Sequence, residues 1–374
     1  MKLQNLRVID LSFFIPGPYL TMTLADHGAE VLKIEPHDGD PTRHIGPSDG
    51  PSTVYFRNFN RGKKSLLLDL KTTADREFLK NLCTTADVFV ETFRPGTADR
   101  LGIGYAEIRK CNPGIVYCSI SAFGNSGTYR QRPAHSLALE AMSGALSQTL
   151  GNDDKPAIPG IAIADYLSSL QGLSAILMAL LRREKTGLGD YIDVAMQDAV
   201  IGACANLVGS TLADNTQPIA KNERTTGGSA FYRIYSTRDN RHIVLAGQER
   251  KFVENLLHSL HRPDLVPLCL QGPGPHQRQV IEFLQGIFLE KTLEEAVAWL
   301  SKLDVCFGPV NTLPEALSDE NAVSRGSIIQ DDLGRRHIAP VIRFLEEPPV
   351  PSLHEPSIGE HTEEIRSRID NNRH

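Results

Sequence analysis

Asp165 has the surroundings in this chain that best suit chemistry. It ends the run Pro156-Ala-Ile-Pro-Gly-Ile-Ala-Ile-Ala-Asp165, and the residues after it recur at helical spacing. Leu170, Leu173, Ala175, Ile176, Leu177, Ala179, Leu180 and Leu181 form a wide stripe, which predicts a largely buried helix over 167–183. Asp165 then stands at or just before a helix N-terminus, where free N–H groups and a partial positive charge collect. An Asp in that place is ordinarily an N-cap. Gly160 and Gly172 leave room for close approach, and the flank Ile161-Ala-Ile-Ala164 predicts a dry site. A carboxylate in a dry site can act as a nucleophile or a proton shuttle.

The elements that must position this carboxylate begin at the N-terminus. Residues 6–11 read as a strand, Phe13-Phe-Ile-Pro-Gly-Pro18 breaks it, Tyr19 to His27 reads as a helix, and 29–35 reads as a second strand. That order predicts a βαβ unit and a parallel sheet. No G-x-G-x-x-G follows the first strand, so no dinucleotide is expected. Residues 36–62, rich in Pro, Gly, Asp and Arg, read as a surface loop. Further strands are expected at 65–70, 87–91 and 115–120, with a helix over 71–84. Arg94 and Arg100 follow the strand ending at Glu91, and with Lys71 they could hold phosphates. Either arginine taken alone reads rather as a solvated surface residue. Tyr191 to Thr211 reads as a second long helix rich in small residues, and 212–229 as a polar linker.

Two strands joined by Thr237-Arg-Asp-Asn-Arg241, a helix opened by Glu249 and a capped helix from Thr292 form a smaller unit over 230–316. The expected fold is α/β: a large Rossmann-like domain with a parallel sheet (residues 1–211, completed by 317–374), plus a smaller α+β domain. The chain has 374 residues and a net charge of −6, which argues against a partner bound by phosphate neutralisation, so no nucleic acid is expected. No apolar run reaches the length of a membrane span, and no signal peptide is read at the start. Six cysteines, at 83, 111, 118, 204, 269 and 306, lack metal-site spacing. No metal and no redox nucleotide are expected, and the scattered thiols point to the cytoplasm.

Several stretches together resemble the class III CoA transferase (CaiB/BaiF) superfamily, which also holds the carnitine-CoA enzymes and the α-methylacyl-CoA racemases. They are G-x-A-x-x-D at Asp165, Lys185-Thr-Gly-Leu-Gly189, Asp193-Val-Ala-Met-Gln-Asp198, Glu91-Thr-Phe-Arg-Pro-Gly96, Asp99-Arg-Leu-Gly102 and Gly359-Glu-His-Thr362. The resemblance implies that Asp165 is catalytic and that acyl-CoA is the substrate. It aligns Ile15, Pro16, Leu68, Lys71, Phe93 and Arg100 with CoA contacts, in a segment that also holds Arg94. It further implies an interlocked homodimer acting on a small carboxylic acid.

Two reactions stay open, with CoA transfer placed first because most members of that superfamily are transferases and racemisation as the alternative. In CoA transfer, Asp165 carries the CoA as an aspartyl thioester. In racemisation, His135 and Asp165 work on opposite faces of the α-carbon while Glu249 orients the imidazole. Ser136 stands where racemases carry an Asp, and Gly227-Gly228 is the one hint of the glycine run many transferases have. A non-catalytic CoA-binding paralogue is the third alternative.

Overall fold

The computed structural model describes residues 1–371. In chain order, β1 (Arg7–Leu11), α1 (Pro16–Asp26), β2 (Glu30–Glu35), α2 (Val54–Asn60), β3 (Lys64–Leu67), α3 (Thr73–Cys83), β4 (Val88–Glu91), α4 (Thr97–Arg100), α5 (Tyr105–Cys111) and β5 (Val116–Ser121) come first. Then follow α6 (Ser136–Met142), α7 (Ala145–Gln148), α8 (Ile163–Thr186), β6 (Tyr191–Ala195) and α9 (Met196–Ala203). The six strands form one sheet in the order β3-β2-β1-β4-β5-β6, and every pairing is parallel. Val8, Ile9, Val31, Leu32, Val88, Phe89, Val90 and Val116 are all buried, as expected of parallel strands covered on both faces. The strand order reverses between β1 and β4. In open parallel sheets the ligand crevice lies at such a point, beyond the C-terminal strand ends.

Residues 36–62 are not a surface loop. They carry α2, and Phe56, Arg57, Phe59, Asn60 and Arg61 are buried. The buried charges are paired. Arg43 makes two bonds to Glu35, at 2.8 and 2.7 Å, and Arg61 grips Asp26 at 2.8 Å. Lys63 donates to Asp10 at 2.9 Å, to Pro18 O at 3.1 Å and to Asn60 at 2.8 Å. Lys33 meets Asp40 at 2.9 Å and donates to Ser12 O at 2.8 Å. Asp10 also accepts from Ser12 N at 2.9 Å, the Ser12 hydroxyl and Thr21 Oγ1 at 2.7 Å. Burial pushes the Asp10 carboxyl up, but Lys63, Lys33 and these bonds more than offset it and hold it far below the carboxylate range. The network clamps both ends of the turn Ser12–Pro18.

The predicted helix around 167–183 is longer, Ile163–Thr186, and packs against α1, β5, β6, α6 and α9. It is not largely buried. Leu173, Ile176 and Leu180 face inward, whereas Leu170, Leu177, Met178 and Leu181 are exposed. Its apolar residues wrap two faces, and this unit covers one. By length and composition α8 could cross a membrane, which corrects the expectation that no segment reaches that size. Gly172 sets its closest approach, since a Cβ there would lie 2.7 Å from Leu20 Cδ1 and 3.4 Å from Ile120 Cδ1. Gly172→Val is expected to destabilise by about 2 kcal/mol, the usual cost of overpacking a closed interface, read by urea unfolding. Gly160 has open space around it.

The stretch read as a helix over 191–211 begins instead as β6, the sheet's edge strand, paired to β5 from Tyr117↔Tyr191 to Ser121↔Ala195. Five backbone pairings to β5 hold these residues in the sheet, against the helical tendency of the small residues that follow. The chain divides into two compact units. One holds Met1–Ser143, Gly160–Ala203 and the chain from Glu320; the other holds Gly144–Pro159 and Cys204–Asp319. The second therefore starts earlier than the expected linker and takes in α7. It contains α10 (Gly209–Asp214), β7 (Arg233–Ser236), β8 (His242–Leu245), α11 (Arg250–Ser259), α12 (Val266–Cys269), α13 (Arg278–Leu289), α14 (Leu293–Leu300), β9 (Phe307–Pro309) and α15 (Leu313–Ser318). Its sheet, β7-β8-β9, is antiparallel, with Tyr235, Leu245, Val253, Leu256, Leu284 and Phe288 in the core. Thr292 and Glu295 form the expected capping box. In the first unit α16 (Glu320–Ser324), the hairpin β10 (Ile328–Gln330) and β11 (Arg336–Ile338), and α17 (Thr362–Asn371) end the described chain.

Candidate active site

Asp165 is the third residue of α8, in its first turn, and not the N-cap. The N-cap is Ala162, which has no polar side chain to offer. The cap comes from α6. Glu140 accepts from Ile163 N at 3.0 Å and Ala164 N at 3.4 Å, and Ser136 Oγ accepts from Ala164 N at 3.0 Å while donating to Glu140 at 2.6 Å. Both side chains are buried. Ser169 Oγ donates to Pro16 O and to Asp165 O at 2.9 Å, which ties the first turn of α8 to the turn after β1. The Asp165 carboxylate itself has no hydrogen bond or ion pair among the described residues. Burial, with Glu140 adding to it, pushes its pKa up to about 6.

Asp165 opens into a cleft of about 500 Å³. Phe13, Phe14, Ile15 and Pro16 from the turn after β1 line it, with Thr92, Phe93 and Arg94 after β4, Tyr55 from α2, and Arg130, Arg132 and His135 before α6. This is the crevice anticipated at the β1/β4 reversal, and the two loops meet where Phe13 N donates to Thr92 Oγ1 at 3.1 Å. A second cleft, of about 640 Å³, runs over the ends of β1, β2 and β3 and is lined by Leu68, Lys71, His37, Leu70 and Leu101. Phe13 and Phe93 line both. Phe93 is set in place by Glu91, which accepts from its N–H at 2.6 Å; burial pushes the Glu91 carboxyl up to about 7.

The residues matched to CoA contacts thus divide. Ile15, Pro16, Phe93 and Arg94 gather around Asp165, and Leu68 and Lys71 lie in the neighbouring cleft with Phe93. Arg100 is exposed, donates to Thr97 Oγ1 at 2.8 Å and lines neither cleft. His135 is the N-cap of α6, exposed, edge-on to Phe14 at 6.0 Å between ring centres. Glu249 is an exposed N-cap on α11, in the second unit. Gly227 and Gly228 also belong to that unit, where a Cβ on Gly228 would strike the Asn222 backbone. No group of three His, Cys, Asp or Glu side chains that could hold a metal occurs among the described residues.

A model of the CoA-transferase family III matches residues 3–362. The chain belongs to that family. Mouse succinyl-CoA:glutarate CoA-transferase is 29% identical, over 98% of this chain and 86% of its own. Human alpha-methylacyl-CoA racemase is 31% identical, over 98% and 92%. The crystal structure of a CAIB/BAIF family protein from Brucella suis superposes with a TM-score of 0.85 at 30% identity, covering 98% of this chain and 99% of that one. The protein is therefore an enzyme of family III, and the family implies acyl-CoA substrates. Against that background several residues were missed in the sequence. Glu140 and Tyr55 carry no local signal, because their partners are remote in the chain. Arg130 and Arg132 follow a glycine-bearing turn and could have been noticed as cations with no acidic residue at helical or turn spacing.

Proposed function

We propose that this family III enzyme is a CoA transferase that moves CoA from an acyl-CoA to a carboxylic acid through a thioester on Asp165. The unencumbered, partly buried Asp165 carboxylate carries the reading. It attacks the thioester carbonyl, the CoA thiolate leaves, and a mixed anhydride forms. The thiolate then attacks the aspartyl carbonyl and expels the acyl group as its carboxylate. An acceptor carboxylate attacks the aspartyl-CoA, and the steps run in reverse to regenerate Asp165. Every bond broken is matched by one formed, and no redox partner or metal is called upon.

The shared lining at Phe13 and Phe93 supports a ligand whose nucleotide occupies the cleft over β1–β3 while its thioester end reaches Asp165. Arg94, Arg130 and Arg132 make no ion pair among the described residues, and they give the rim of the Asp165 cleft a positive field suited to anionic groups. The exposed apolar face of α8 supports the expected homodimer, with a second copy covering Leu177, Met178 and Leu181.

The deciding experiment is intact-mass spectrometry after incubation with a panel of acyl-CoAs, followed by hydroxylamine trapping. A CoA adduct or hydroxamate on the peptide that contains Asp165 is expected. No adduct with any donor, together with exchange of the α-proton of a 2-methylacyl-CoA in D₂O, sinks the reading. That second outcome would favour racemisation, for which the placement of His135 and Asp165 in one cleft is the supporting observation. Ser136, standing where racemases carry an Asp, is committed to capping α8. His135→Ala is accordingly expected to keep transferase turnover within about 10-fold of the parent, whereas loss of a general acid–base group costs about 10²–10⁴-fold.

A further inference from the structure

We propose that Glu140, through the cap it shares with Ser136, is the positioning residue of Asp165: it seats the first turn that bears the nucleophile and lays a fixed negative charge beside it. The inference rests on the reading of Asp165 as nucleophile but concerns a residue that this reading does not use.

The geometry supplies the argument. A carboxylate in the first turn of a helix is ordinarily favoured as the anion, because the free N–H groups of that turn point at it. Here the N–H groups of Ile163 and Ala164, the two residues before Asp165, are both taken by Glu140, with Ser136 sharing the second. The favourable end of α8 is therefore occupied by a neighbour. Glu140 is 1% exposed, so little solvent screens its charge from Asp165. Its interaction with Asp165 is repulsive and adds to the effect of burial.

The other titratable groups lining the cleft come from separate elements, Tyr55 on α2, His135 at the start of α6, and Arg94, Arg130 and Arg132 in the loops, while Tyr166 follows Asp165 on α8 and packs against Tyr19 outside the cleft. The three arginines are exposed, and Tyr55 and Tyr166 are themselves pushed up by burial, with Asp165 contributing, so both phenols are neutral at working pH. A nucleophile held without hydrogen bonds, beside a like charge, keeps a basic and reactive carboxylate. An apolar residue at 140 would free the N–H groups to quiet it.

Glu140→Gln separates the two roles. The amide oxygen still accepts from Ile163 and Ala164, so the seat is kept while the charge is lost. The proton affinity of Asp165 is read without any turnover, from the difference in unfolding free energy between a chain and its Asp165→Asn version across pH 4 to 9. In the Glu140→Gln background, the midpoint of that difference is expected to move down by about one pH unit. A purely structural residue leaves it unmoved. Ser136→Ala is the companion, since it loosens the seat with no change of charge. It is expected to lower kcat about 10-fold, as a small misplacement of a reacting group does, with KM for acyl-CoA and the midpoint unchanged.

A midpoint unmoved in a folded Glu140→Gln chain overturns the charge role, and an unchanged kcat in Ser136→Ala overturns the seating role. If Glu140→Gln does not fold, Glu140→Asp, which keeps the charge but shortens the reach, takes its place. There an unchanged midpoint with lowered kcat is expected, and a full kcat overturns the proposal. Failure of the transferase reading would show as no adduct on Asp165 while the midpoint still moves, so the two remain distinguishable.

Discussion

Asp165→Asn is expected to abolish CoA transfer, with a loss on the order of 10⁴-fold or more, as for deletion of the nucleophile in other covalent enzymes. It is also expected to make the protein more stable at pH 8. The two effects have one cause. The Asp165 pKa is pushed up to about 6 from the ordinary 3.8. The folded chain thus binds this proton more tightly than the unfolded chain does. The group's favourable contribution is full below about pH 3.8 and is lost as the pH rises through 6, leaving the anion as a net cost above that. Asn has nearly the same shape and no charge to bury. With one pKa unit worth about 1.4 kcal/mol, and some discount for partial exposure, the gain is about 2 kcal/mol at pH 8. It should vanish near pH 4. Urea unfolding of both chains at the two pH values checks this, and equal stability at pH 8 would show that Asp165 is not the partly buried, uncompensated carboxylate described.

The second large effect is expected at Asp10, more remote from the chemistry. Asp10→Ala leaves Lys63 fully buried with Pro18 O and Asn60 as its remaining hydrogen-bond partners, and removes the acceptor that binds Ser12 and Thr21. Removing one partner of a buried pair typically costs about 3–5 kcal/mol. Adding Lys63→Met should return part of that, because replacing both charges with apolar groups is far cheaper than stranding one. Denaturation of the two single variants and the double variant forms the cycle. Strictly additive losses would mean that Asp10 and Lys63 do not act as a pair. Where Asp10→Ala still folds, KM for acyl-CoA should rise, because the turn Ser12–Pro18 loses its clamp.

Much of this was legible in the chain, and the parts that were not share a physical reason. The alternation of apolar strands with short helices announced the parallel sheet, and the run ending in Asp165 announced the carboxylate. Both depend on local periodicity. Residues 36–62 were misread because Arg43 and Arg61 look like surface residues until Glu35 and the sequence-distant Asp26 are seen to neutralise them in the interior. Glu140 carries no local sign of its role. Its meaning lies in two backbone N–H groups more than twenty residues further on. α8 was read as buried because apolar residues surround it, yet periodicity reports which residues avoid water and not whether a single chain covers them all. Tyr191–Ala195 was absorbed into a helix because this short strand carries no in/out alternation and runs straight into small residues, while its pairing partner β5 lies some seventy residues earlier.

Phe13 and Phe93 work as a pair. They close the turns after β1 and β4, neighbouring strands held in fixed register, with Leu11 opposite Glu91. The span from the cleft over β1–β3 to Asp165 is therefore set by the rigid part of the molecule, like the distance between two marks on a ruler. A ligand gripped at its nucleotide end delivers to Asp165 whichever bond lies one arm's length away, whatever hangs beyond it. On the proposed reading the sheet measures the carrier and leaves the cargo unmeasured.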